Sequence, residues 1–206
     1  MSAPLPQGED KARIVRGLFD TIAPRYDVVN RLMTFGMDIG WRRRTVRELQ
    51  GAGYRAVGLD FAFGMLRQAK TDAPLVQADA LRLPFRDASA DGVTCGFALR
   101  NVVSLPQLFA ELARVVRPGG AIALLDASRP DNRVLRAGHA LYFEKVVPFI
   151  GGALSDRAAY GYLPRSMAYL PSTDEMVGML RAVGFPSIRR LQLSGGVTQL
   201  FVGTRV

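Results

Sequence analysis

Between residues 54 and 127, short apolar runs alternate with helical segments, and three of the four runs end on an aspartate. Arg55–Asp60 (RAVGLD), Leu75–Asp79, Gly92–Phe97 and Ala121–Asp126 (AIALLD) read as strands. Phe61–Lys70, with Met65, Leu66 and Ala69 on one face, and Leu105–Val116 read as helices. Arg117-Pro118-Gly119-Gly120 supplies the stop that ends the second helix. Strands spaced by helices are joined by crossovers rather than tight turns, and this confines the chain to an α/β fold with a parallel sheet.

The flanks extend this frame. Residues 1–10 are polar and expected to fray. Residues 11–206 read as one domain. Within it, residues 11–50 form a helical N-terminal cap: Ile14, Val15, Leu18 and Phe19 recur at helical spacing, as do Val28, Val29, Leu32 and Met33, and Pro24 breaks the first segment. Residues 131–170 are aromatic and apolar, with Leu141, Tyr142, Phe143, Val146, Val147, Phe149 and Ile150, and read as a helix and an irregular substrate lid. Ser172-Thr173-Asp174-Glu175 is a capping box opening a helix that Gly184 ends. Ile188–Leu193 and Val197–Thr204, joined by Ser194-Gly195-Gly196, read as an antiparallel hairpin.

Composition excludes several classes. Cys95 is the only cysteine and His139 the only histidine, so neither a disulfide framework nor a Cys/His metal site is expected. No apolar run reaches the length of a membrane span, and MSAPLPQGED has neither the basic start nor the apolar stretch of a signal peptide, so the expected location is the cytoplasm. The net charge is +9, and all but Lys11, Lys70 and Lys145 of the 27 basic residues are arginine. A basic surface favours anionic partners. No nucleic-acid motif follows, which leaves acidic lipid or an anionic ligand.

Ligands of doubly wound sheets bind outside the carboxyl ends of the strands. Asp60 and Asp79 end successive strands there. Two readings fit them: the pair accepts hydrogen bonds from a nucleoside, or each aspartate caps the helix that follows. The Gly-rich turn that should follow the first strand of such a sheet is missing. Gly51-Ala52-Gly53 follows a helix and precedes a strand, and reads as a helix C-cap.

Longer stretches resemble the ubiquinone/menaquinone biosynthesis C-methyltransferase family, the demethylmenaquinone methyltransferases. These are FDTIAPRYDVVN (19–30) continuing through Leu32-Met33-Thr34-Phe35-Gly36 to Trp41, QADALRLPFRDASADGVTCGFALRNV (77–102), RVVRPGGAIALLDASRP (114–130), and a tail with Tyr160, Tyr162-Leu163-Pro164, Ser166 and Leu193-Ser194-Gly195-Gly196-Val197. The resemblance covers nearly the whole of residues 13–204. The resemblance implies a Rossmann-like class I methyltransferase that uses S-adenosylmethionine to methylate a ring carbon of a polyprenyl-quinol, most often demethylmenaquinol. It places Asp60 on the cofactor ribose, Asp79 and Ala80 beside the adenine, and Gly96, by its backbone, near the cofactor. It makes Arg100-Asn101 the catalytic pair that assists quinol deprotonation. Arginine is itself too poor a base, so Arg100 would stabilise the phenolate and order a water. Read without the resemblance, Arg100-Asn101 is a turn with a surface ion pair. Asp126 stands where the family usually has Glu, and Ala158 where an acid is common.

One departure is large. The family's first strand, its Gly-rich loop and the following helix should lie between Leu49 and Tyr54, where this chain has only Gln50–Gly53. Such a unit needs roughly 20–25 residues. The expected fold is therefore a class I sheet with a C-terminal hairpin that lacks its first strand and the next helix. Its remaining strands either close over the gap or leave an apolar edge. Two functions follow: the family's C-methyltransferase, or a non-catalytic relative acting as a membrane-associated binding protein. Trp41, Arg42, Arg43, Arg44 and Arg47 lie on a basic amphipathic helix, which reads either as contact with an anionic membrane surface or as a solvated face. His139 reads as a surface residue and Cys95 as inert packing. The oligomeric state is left open.

Overall fold

A computed structural model of the chain describes residues 6–49, 54–147, 149–150 and 155–206. Gln50–Gly53, and with them the G-x-G stretch, lie outside the described residues. The helical cap comprises α1 (Gly8–Ile22), α2 (Tyr26–Met33) and α3 (Met37–Glu48), with a 3-10 turn at Ala23–Arg25 where Pro24 interrupts it. Helix α1 starts at Gly8, inside the stretch expected to fray. Tyr169, whose hydroxyl donates to the Pro6 carbonyl, ties that end down.

The first two strands are shorter than the apolar runs: β1 is Gly58–Asp60 and β2 Leu75–Gln77, and the helix α4 between them covers only Phe63–Gln68, whereas β3, Ala90–Gly96, starts two residues before its run and ends one residue short of it. After α5 (Leu105–Val115) comes β4 (Val116–Ala127). The Pro-Gly-Gly stop therefore sits inside a strand. Ala90 pairs with Val116 and Gly92 with Ala121, so residues 117–120 bulge out of the ladder. Glycine is needed there: Gly119 has φ +76°, and a Cβ on Gly120 would stand 2.8 Å from the Asp91 carbonyl oxygen. The lid is more regular than expected, with α6 (Arg133–Leu141), a π turn at Tyr142–Val146 and α7 (Arg157–Ser166). Helix α8 (Thr173–Ala182) has both bonds of the capping box between Ser172 and Glu175. The hairpin of β5 (Ser187–Leu193) and β6 (Thr198–Thr204) is antiparallel.

Among the described residues the strands form two sheets. One is the parallel pair β1–β2, and the other has the order β3–β4–β6–β5. Strands β1 and β3 do not pair, so the sheet divides where the sequence reading places the lost strand. The free edge of β3 is small and polar rather than apolar, with Asp91, Thr94 and Gly96 exposed. Alternation along β4 builds the two faces of the larger sheet. Ile122 and Leu124 pack with Leu108, Phe109 and Leu112 of α5 and Met176 and Leu180 of α8, whereas Ala123 and Leu125 pack with Trp41 of α3 and Leu200 of β6.

The cap is fastened to the turn after β3 by Lys11. This side chain is buried, donates to the Val102 carbonyl at 2.6 Å, and lies 3.6 Å from the Tyr169 ring centroid. Burial pulls its pKa from 10.5 down to about 8. Below pH 8 the ammonium is charged in both states and its desolvation cost is fully present. From about pH 8 to 10.5 the unfolded chain holds a proton that the folded chain has released, so this group makes stability rise with pH. Urea midpoints measured across that window are expected to climb relative to those of Lys11→Met, and parallel curves would contradict the assignment.

Candidate functional site

A cavity of about 470 Å³ opens between the cap, the lid and the carboxyl ends of β3 and β4. Its wall is mostly apolar, with Phe19, Ile22, Met33, Tyr142, Phe143 and Leu163 prominent. The wall is built by helices that the sequence reading assigned to the cap and the lid. Ile22, Val29 and Met33 share a core cluster with Val147, and the Tyr142 hydroxyl donates to the Met33 carbonyl at 2.8 Å.

Arg100 and Asn101 both line this cavity. Arg100 is buried, and its guanidinium donates to Asp126, which is fully buried at the end of β4. The Arg100 backbone amide also donates to Asp126, at 3.1 Å. The alternative of a surface ion pair is thus replaced by a buried one. Asn101 donates through Nδ2 to the Phe97 carbonyl at 3.1 Å. Among the described residues two buried side-chain polar atoms have no hydrogen-bond partner, the Oδ1 of Asn101 and the hydroxyl of Tyr162. Both residues line the same cavity. A buried polar atom left unpaired costs roughly 1–3 kcal/mol, which a ligand's polar group can recover. Burial pushes the Tyr162 phenol up to about 12, so it is a donor at neutral pH and not a base.

Two proton acceptors complete the wall. Asp38 is buried, with its carboxylate 3.0 Å from the Thr34 hydroxyl. His139 is half-buried and stacked on Phe143 at 4.9 Å, so it is not the surface residue that the sequence suggested. Burial, then the charge of Arg129, holds its imidazole below the ordinary value and therefore neutral at pH 7. Tyr162, Asp38 and His139 were missed as a group because no local spacing links residues so far apart in sequence. The only available signals were the single histidine and the Tyr-Leu-Pro stretch.

The cofactor-binding candidates lie elsewhere. Asp60 ends β1, Asp79 follows β2 two residues past its end, and β1 pairs with β2. The two carboxylates thus sit at one end of one small sheet. Each accepts from the backbone amide two residues on, Asp60 from Ala62 and Asp79 from Leu81, both at 2.9 Å. This is the local capping that the second sequence reading anticipated. Burial raises the Asp60 pKa, opposed by the amides of Ala62 and Phe61 and aided by Asp20. Asp79 is exposed and Ala80 partly buried. Gly96 is exposed at the tip of β3, where an added Cβ would meet nothing closer than the Arg42 guanidinium, 3.9 Å away. None of Asp60, Asp79, Ala80 and Gly96 is in the wall of the cavity that holds Arg100 and Asn101. The strand-end carboxylates suit the ribose and adenine half of a nucleoside cofactor. No described element stands between β1 and β3 to meet the other half.

On the basic helix the expectation is corrected at Trp41 alone. Trp41 is 8% exposed, packs against the sheet and donates to the Ser194 hydroxyl at 2.9 Å, so it cannot face a membrane. Arg42 lies over the Phe97 ring at 5.6 Å, and Arg44 pairs with Glu48 at 2.6 Å. Arg43 and Arg47 are exposed. Cys95 is inert, as expected, because burial above all pushes its thiol up to about 12.

Comparison with known proteins gives one consistent result. The sequence profile of the ubiE/COQ5 methyltransferase family matches residues 64–205. The demethylmenaquinone methyltransferase of Roseiflexus castenholzii is 37% identical over 231 positions, covering 98% of this chain and 97% of its own. The ubiquinone/menaquinone biosynthesis C-methyltransferase UbiE of Syntrophotalea carbinolica is 36% identical, covering 92% and 93%. The demethylmenaquinone methyltransferase of Deinococcus radiodurans aligns over 234 positions, which a chain of 206 residues fills only with at least 28 gaps. A solved S-adenosylmethionine-dependent methyltransferase from Thermotoga maritima superposes with a TM-score of 0.68 at 16% identity, covering 93% of this chain and all of that one.

Proposed function

The chain belongs to the ubiE/COQ5 methyltransferase family, and from that premise we propose that it carries out S-adenosylmethionine-dependent C-methylation of a polyprenyl-quinol ring, with demethylmenaquinol as acceptor. The observation that carries the acceptor assignment is the apolar cavity whose two orphaned buried polar atoms, Asn101 Oδ1 and the Tyr162 hydroxyl, belong to residues that share its wall with a buried arginine. An aromatic ring bearing two oxygens and an isoprenoid tail satisfies both atoms and fills the apolar remainder.

Asp60, Asp79 and Ala80, with the backbone of Gly96, would hold the nucleoside end of S-adenosylmethionine, which would supply a methyl group whose bond to sulfur breaks as the new C–C bond forms. The protein's task is to make a ring carbon nucleophilic. Asn101 Oδ1 accepts from one ring hydroxyl, and Tyr162 donates to the other ring oxygen. Loss of the hydroxyl proton gives a phenolate, whose electron pair is delocalised onto the ring carbon that forms the new C–C bond. Arg100, fixed by Asp126, faces the developing negative charge. His139 and Asp38 are the cavity groups able to take the proton, and the ring regains aromaticity when the methylated carbon releases its hydrogen as a second proton. The quinol's tail resides in the bilayer, so the reaction takes place at a membrane surface.

The single tryptophan lines the cavity and reports occupancy. Quenching of Trp41 by a tail-less naphthoquinol is expected to be saturable. Asn101→Leu and Tyr162→Phe are each expected to weaken binding about 5- to 10-fold, the worth of one hydrogen bond. Absence of saturable quenching, or wild-type affinity in both variants, would remove the acceptor assignment. Detection of methylated quinol by mass, with saturating cofactor, tests the reaction itself.

A further inference from the structure

Four large apolar side chains both line the cavity and stand open to solvent: Phe35, Met37, Val134 and Leu135. They come from two places, the corner between α2 and α3 and the first turn of α6, and together they rim the cavity mouth. Phe35 is 77% exposed and Val134 80% exposed. Helix α6 buries none of its nine residues, although Val134, Leu135, Ala137, Ala140 and Leu141 are apolar. Among the described residues, such a helix leaves most of its apolar surface uncovered.

Phe35 has a further oddity. It takes φ +50° at the C-terminal end of α2, where the Gly36 amide reaches back to the Arg31 carbonyl at 2.8 Å. That position is ordinarily filled by glycine or asparagine, and a bulky aromatic there is strained. The fold thus holds a large apolar ring outward, at a conformational cost, beside the mouth of an apolar cavity.

Charge on the same elements is mainly positive. Arg31 lies in the last turn of α2, next to the corner, whereas the one acid of that helix, Asp27, lies in its first turn; Arg133 and Arg136 lie on α6, which has no acid. The acid of the corner, Asp38, is buried. An exposed apolar rim flanked by cations matches an anionic bilayer, whose headgroups meet the arginines while its acyl region receives the rim. We propose that the corner around Phe35 and the outer face of α6 form the membrane-docking surface, which sets the cavity mouth against the lipid. The arginines of α3 are not that surface. The proposal rests on the quinol reading for its purpose, but its test uses vesicles without quinol. Failure here therefore stands apart from failure of the Trp41 quenching experiment.

The measurement is cosedimentation with vesicles of equal phosphatidylglycerol and phosphatidylcholine, and with vesicles of phosphatidylcholine alone. Phe35→Asn suits the left-handed backbone; combined with Leu135→Ser it is expected to lower partitioning onto the mixed vesicles about thirtyfold or more. Arg43→Gln with Arg47→Gln is expected to lower it less than about threefold, whereas two arginines in contact would account for a loss of about twenty-five-fold. Val134→Ser with Leu141→Ser repeats the test on α6 alone, should the first pair fail to fold by Trp41 emission. The proposal is overturned if the rim variants partition like the wild type, if the α3 variant loses as much as they do, or if the wild type binds neutral and anionic vesicles equally.

Discussion

Titration of this chain with S-adenosylmethionine is expected to give a dissociation constant in the millimolar range or weaker. Grafting the Deinococcus radiodurans segment that spans the family's first strand, Gly-rich loop and helix between Leu49 and Tyr54 is expected to tighten it by at least about a hundredfold. The carboxylates of Asp60 and Asp79 remain available for the nucleoside end, at adjacent strand ends of one small sheet. The backbone donors for the methionine end would come from the strand and loop that the chain lacks. Two or three hydrogen bonds to charged groups, at roughly 1.5–3 kcal/mol each, amount to about 3–9 kcal/mol, or two to six decades of affinity. Isothermal calorimetry on both chains decides the matter. Micromolar binding by the ungrafted chain would mean that another part of the molecule supplies those donors.

Asp126→Ala is expected to cost about 3–5 kcal/mol of stability, because it strands a buried guanidinium with no counter-charge. Asp126 is fully buried and accepts from the Arg100 side chain, the Arg100 amide and, at 2.7 Å, the Ala127 amide. At this chain length the loss corresponds to a drop of roughly 6–20 °C in Tm. Asp126→Asn retains acceptors for the two amides and is expected to lose less. Arg100→Met combined with Asp126→Leu is expected to recover much of the loss, since an apolar pair of similar volume needs no desolvation. Denaturant unfolding of the single and double variants measures the coupling. A cost below about 1 kcal/mol for Asp126→Ala would show that solvent reaches Arg100 in the folded state.

The parts of the fold readable from sequence are those fixed by local chemistry. The capping box at Ser172 and Glu175, the Ser-Gly-Gly hairpin and the strand at Ala121–Asp126 all came through because each depends on neighbouring residues. The lost strand was legible as well, because intact motifs on either side of Gln50–Gly53 left no room for it, and the split between β1 and β3 is its structural counterpart. The ends of β1 and β2 were overread, since an apolar run such as Ala56-Val57 does not extend a strand that has a partner on one side only, whereas β4 was underread. The segment 131–170 read as one helix and an irregular lid, whereas it forms α6, a π turn and α7. Trp41 was misassigned through its basic neighbours, whereas the burial of its ring is decided by Leu125, Leu200 and Ser194, far away in the chain. Of the site, Arg100-Asn101 was found by resemblance. Tyr162 and His139 meet them only in three dimensions.

The ribbon of β1 and β2 holds just three residue pairs, and none of their side chains is fully buried. So small a unit opens locally far more readily than the four-stranded sheet beside it. The two acids at its end are therefore not a rigid receptor. A nucleoside that engages them must spend part of its binding free energy on ordering the ribbon, so recognition and local folding become a single coupled event.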